Sequence, residues 1–204
     1  MQKNQQLSKE ESLQIIQQMI SQAKTNITDS GLSWLVWGTM LFLTSVSTYI
    51  FINTGSGNIF LGWNIFGGVT VVLLAYDIFK PKKKLARTYV DDLLKMVDIG
   101  FVICIFTIIF AINADAVNPG NGFGFFLMIF AFLMLIKGGA IRSRSLMVGA
   151  VVNWIGALTV FVVRDFKYTM LIMAGAVLIG YIIPGFLLRI QYMKNKIKKN
   201  NPVL

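Results

Sequence analysis

Six long apolar stretches, joined by short polar connectors, constrain this chain more than any other feature. They cover about residues 31–52, 58–79, 96–112, 123–136, 146–163 and 169–190. A hydrocarbon layer of about 30 Å takes about 20 mostly apolar residues per helix. The fourth stretch reaches that length when 138–141 is included. Composition agrees: of 204 residues 55% are hydrophobic and only 14% charged, where a soluble domain has about a quarter charged. The expected fold is an all-α integral membrane protein, a six-transmembrane-helix bundle.

The charges orient it. The net charge is +10, and its placement matters more than its sum. With the N-terminus inside, Lys3, Lys9 and Lys24 are cytoplasmic, as is the stretch "DIFKPKKKLAR" with Lys80, Lys82, Lys83, Lys84 and Arg87. Lys95, Lys137, Arg142 and Arg144 join them, followed by Arg189 and the four lysines from Lys194 to Lys199. Only Arg164 and Lys167, two of the 19 basic residues, fall outside. Short loops biased in this way set an N-in/C-in topology. The Lys80–Arg87 cluster is thus a topology signal that also attracts anionic lipid headgroups. Nucleic-acid recognition would need stacking or base-reading groups beside the charge, and this loop offers Tyr89 alone.

Trp34 and Trp37 fall at the inner end of the first span and Trp63 near the outer end of the second, where an amphipathic indole prefers to sit. Trp154 breaks the pattern in mid-span. The outer loops, 53–57, 113–122 and 164–168, are too short for an external domain. The polar first thirty residues do not read as a cleavable signal peptide.

Those residues divide the chain into a cytoplasmic amphipathic helix (1–30), the membrane domain (31–190) and a basic cytoplasmic tail (191–204). Ser8 and Glu11 fit a capping box. Leu13, Ile16, Ile20, Ala23 and Ile27 then recur at spacings of 3, 4, 3 and 4, a narrow seam on one helix face. The seam suits a membrane surface, the cytoplasmic end of the bundle, or a partner or second copy in a short coiled coil.

Ionisable groups in the spans stay at their ends: Asp77 closes the second, Asp98 opens the third and Lys137 ends the fourth. Pairing with each other or with the lysine-rich loop accounts for them; a cytoplasmic gate or proton site is the sharper alternative. Tyr76–Asp77 with Asp98 is faintly similar to the aspartate pair of intramembrane aspartyl proteases, but "MVDIG" stands where that family has GxGD. Deeper lie Asn64 and Asn153, in the related strings "NIFGGVTV" and "NWIGALTV", placed where an inverted repeat would put them. Gly149, Asn153 and Gly156, with Ala176 and Gly180 in the last span, form faces that let helices approach closely. The fourth span, poor in small residues, is expected to face lipid, and Pro184 to kink the sixth helix.

No phosphate-binding glycine loop, zinc-protease motif or nucleophile elbow occurs. With no His, and Cys104 the single Cys, neither a metal site nor a cofactor is expected. "ESLQIIQQMISQAK", "GLSWLVWG" and "GYIIPGFLLR" together resemble a family of small uncharacterised six-span bacterial inner-membrane proteins. The resemblance implies that topology and the bacterial cytoplasmic membrane, and it implies no activity. The expected function is non-enzymatic, through a membrane-protein partner or a homo-oligomer. The alternative is a small solute transporter or channel-like protein with a polar site around Asn64 and Asn153.

Overall fold

A computed structural model describes residues 31–55, 57–79, 89–163 and 165–200. Every element among them is helical: α1 (Leu32–Thr54), α2 (Leu61–Phe79), α3 (Tyr89–Asn113), α4 (Pro119–Ala140), α5 (Arg144–Val162), α6 (Phe166–Val177), a π turn (Leu178–Ile182) and α7 (Ile183–Asn200). Without water to take up backbone N–H and C=O groups, a lipid-embedded segment satisfies them within its own helix. Five helical segments are long and apolar enough to cross a membrane, the last being Phe166–Lys194, and α2 contributes the shorter apolar run Leu61–Val72. The chain is a multi-pass membrane protein.

Local chemistry sets the helix ends. Asn118 accepts a hydrogen bond from the Gly120 amide at 2.9 Å with Pro119 in the first turn of α4, and Asp165 does the same for Lys167 at the start of α6. Both are N-caps that satisfy free amides where α-helical bonding cannot.

The core is built on α4 and α5, with α1 and the α6–π–α7 helix closing around them. Half of the apolar window of α4 is buried, with Leu127, Ala131 and Met134 fully enclosed. The fourth span therefore does not simply face lipid: one face is core, and the other, with Met128 and Phe132, is exposed. Its large side chains enter the space that the small residues of α5 leave: Leu127 stands 3.5 Å, and Met134 2.8 Å, from where a Cβ on Gly156 or Gly149 would lie. A large-residue face is buried when its neighbour supplies the small residues.

The packing of α5 on the last helix is closer still. A Cβ on Gly156 would come within 2.8 Å of the Ala176 Cβ, and one on Gly149 would overlap the Gly180 carbonyl oxygen. Pro184 explains the π turn. It has no N–H to donate, and its ring would clash with the carbonyl four residues back in a regular helix. The Ile183 amide instead donates to the Leu178 carbonyl, five residues back, and the widened turn leaves the Gly180 oxygen against α5.

The two remaining helices are peripheral. Among the described elements, the backbone of α2 packs on α1 alone and that of α3 on α4 alone. No residue in the apolar window of α3 is buried. The helix α3 starts at Tyr89, ahead of the apolar run, and its first turns hold Asp91, Asp92 and Lys95. At the other end of the chain, α7 continues as a helix through the basic residues to Asn200.

Candidate functional site

Because α2 and α3 do not pack on each other, a cleft of about 770 Å³ opens between them. Leu41 of α1, Phe126 and Phe130 of α4, and Met173 of α6 form its floor. Asn58, Asn64 and Asn113 lie towards the loop end, and no charged side chain lines it. Clefts of this size with an apolar lining and few polar groups are the usual form of a binding site.

The α2 wall carries the informative pattern. Asn64, Gly67, Gly68 and Val71 all line the cleft and are all exposed. Spaced at 3, 4 and 7 residues from the asparagine, they share one helix face. Nothing lies within 4 Å of where a Cβ on Gly67 or Gly68 would be. Trp63 closes the floor beside them, its ring 4.6 Å from that of Phe123 and its Nε1 enclosed without a hydrogen-bond partner. These glycines stand in the string that suggested a repeat, and their spacing from Asn64 was the signal for a packing face.

Asn153 is in a different place. It is completely buried, donates to the Gly149 carbonyl at 2.9 Å and to the Met134 sulfur at 3.6 Å, and its Oδ1 has no partner. It is not among the residues of the cleft. The two asparagines occupy unlike environments, one exposed on a peripheral helix and one wedged in the core.

Asp98 and Lys137 are brought together: the ammonium lies 2.6 Å from the carboxylate and 5.8 Å from the centroid of the Trp34 ring. Trp34 packs in turn against Tyr181 of the π turn, the rings tilted by 55° with centroids 5.0 Å apart. The cluster ties α3, α4, α1 and the π turn together at one end of the bundle. The side chain of Asp77 lies outside the described residues, as do Lys80, Lys82, Lys83, Lys84 and Arg87 and the seam of Leu13, Ile16, Ile20, Ala23 and Ile27.

A second groove, of about 700 Å³, runs along the other side of α3 between α4 and α5. Cys104, Phe132 and Trp154 line it, and it is almost wholly apolar. It places Trp154 towards lipid in mid-span.

A buried hydroxyl ladder on α1 is structural. Thr44, Ser45 and Thr48 each donate to the carbonyl four residues back, and Thr48 also reaches the Ile59 carbonyl at 3.1 Å, holding the connector to α2. In an apolar interior such hydroxyls are satisfied by their own helix.

Compared with known protein families, with curated proteins and with solved structures, the chain matches none.

Proposed function

We propose that this chain is a non-enzymatic protein of a bacterial cytoplasmic membrane, six-spanning with both termini inside, that works by docking another transmembrane helix between α2 and α3. The incoming helix belongs to a partner protein or to a second copy. The α2 face of Asn64, Gly67, Gly68 and Val71 carries this reading. Helices in lipid gain little from the hydrophobic effect and associate through close backbone approach and hydrogen bonds across the contact. Elsewhere in the bundle, faces of this kind are taken up, Gly149 by the π turn and Gly156 by Ala176. On α2 the corresponding space is open.

The test is a photo-reactive residue in native membranes, at Val71 in the cleft and at Val148, an exposed position on α5, as the control. Discrete protein adducts from Val71, with lipid adducts alone from Val148, are expected. Lipid alone from both positions would remove the proposal.

The amides of Asn58, Asn64 and Asn113 towards one end of the cleft favour a second reading, passage of a small polar solute. That reading predicts that Asn64→Ala in reconstituted vesicles changes solute flux. Unchanged flux excludes a transport role for this asparagine.

A further inference from the structure

The chemistry of the cleft narrows down which helix it receives. Asn53, Asn113 and Asn153 each donate their amide to the carbonyl four residues back. Asn58 and Asn118 accept from the backbone amide two residues on. The side-chain amide of Asn64, in the first turn of α2, has no hydrogen bond among the described residues, and the residue is exposed on the cleft. An amide both donates and accepts, so another amide is its natural complement. One turn further along the same face, Gly67 and Gly68 leave the backbone open to close approach.

No charged side chain lines the cleft. A helix that brought a charge would find no counter-charge there, and an unpaired ion in a membrane is costly. The fitting occupant is an apolar helix with small residues, an amide and no charge. The run Leu61–Val72 of α2 is itself such a helix.

We propose that the cleft receives α2 of a second copy of this chain, forming a closed two-fold dimer. This rests on the cleft being a helix-docking site and commits its occupant to the chain's own α2. Two copies inserted the same way round are related by an axis along the membrane normal, so their α2 helices run parallel. Each α2 lies between α2 and α3 of the other copy. With one cleft and one α2 per copy, the exchange fills both clefts and leaves no open end. The two α2 helices cross at Gly67 and Gly68, and the two Asn64 amides meet across the axis, each donating to the other. Asn64 also fixes the register, because a slipped pair would leave both amides unpaired. Within one chain α2 packs on α1 alone and α3 on α4 alone; the dimer gives each a second neighbour.

The test is symmetric disulfide formation in native membranes between differently tagged copies, in a Cys104→Ala background so that no other thiol is present. Val71→Cys lies on the proposed face. Val72→Cys, about 100° further round the helix, is the control. Both residues are more than half exposed, so neither change disturbs the bundle. Under mild oxidation Val71→Cys is expected to form the covalent dimer at least about tenfold faster than Val72→Cys, because only the first pair is held side by side. Adding Asn64→Ala should slow it, and adding Gly67→Leu with Gly68→Leu should bring it down to the control rate. Equal rates for Val71→Cys and Val72→Cys, or no covalent dimer from either, would overturn the second copy as occupant. Photo-adducts at Val71 judge the docking site separately. Adducts with a different protein and no Val71→Cys dimer would overturn the second copy alone, and lipid adducts alone would overturn both.

Discussion

The contact between α5 and the π turn makes a quantitative prediction about Gly149. An added Cβ there would overlap the Gly180 carbonyl oxygen and come within 2.8 Å of Met134 Cε and 2.9 Å of Pro184 Cγ. Carbon atoms rest about 3.5–4.0 Å apart. The Met134 side chain can give way, but the carbonyl is backbone in a turn fixed by Pro184, so α5 and the π turn must separate. Overpacking of this kind costs about 1–3 kcal/mol. At about 2 kcal/mol, Gly149→Ala lowers the folding equilibrium constant roughly 30-fold. Gly175→Ala is the matched control, because nothing lies within 4 Å of its added Cβ. It should be neutral or stabilise by up to about 1 kcal/mol through helix propensity. Unfolding in mixed micelles with increasing SDS, followed by fluorescence of the four tryptophans, reads both variants. If Gly149→Ala proves as stable as Gly175→Ala, the close approach of α5 to the π turn is wrong.

Two further predictions follow from the burial of α4 and from its lower end. Leu127 is fully buried and Phe132 more than half exposed on the same helix, so Leu127→Ala should cost about 2 kcal/mol or more and Phe132→Ala no more than about 0.5 kcal/mol, measured by the same unfolding titration. The Asp98–Lys137 pair is partly solvated, and Asp98→Asn should cost under about 1 kcal/mol. Asp98→Lys, which sets like charges together, should cost more, and Asp98→Lys with Lys137→Asp should recover most of the loss; failure of the double variant to recover would show that the pair does not hold α3 to α4.

Hydropathy located the membrane helices because length and apolar content depend only on the chain and the bilayer. It did not distinguish a face turned to lipid from one turned to protein, since Leu127 and Phe132 are equally apolar. The burial of α4 became visible only with the small residues of α5 against it. The early start of α3 and the extension of α7 carry charged residues, and their helicity leaves no hydropathy signal. Gly149, Gly156, Ala176 and Gly180 were legible as a packing set because closeness requires small residues. The cleft was not legible. It exists because α2 and α3 each find a different neighbour, and that choice depends on all the helices at once. In the sequence Asn64 stands out as a polar site, whereas Gly67 and Gly68, which leave open space on the same face, stand out only as part of a repeated string. Asn153, which shares its string, is a core residue whose amide donates to Gly149 of α5 and Met134 of α4.

The central claim is that the cleft between α2 and α3 receives a transmembrane helix. Its most direct test is a gentle-detergent pull-down from native membranes, comparing the native chain with a Gly67→Leu, Gly68→Leu variant and quantifying co-purified proteins by mass spectrometry. Both glycines have open space at the Cβ position, so the variant fills the cleft without disturbing the bundle. A stoichiometric membrane protein, or a second copy of this chain, that is present with the native chain and lost with the variant is the predicted result. The same proteins recovered with both chains, or no stoichiometric partner with either, would contradict the claim.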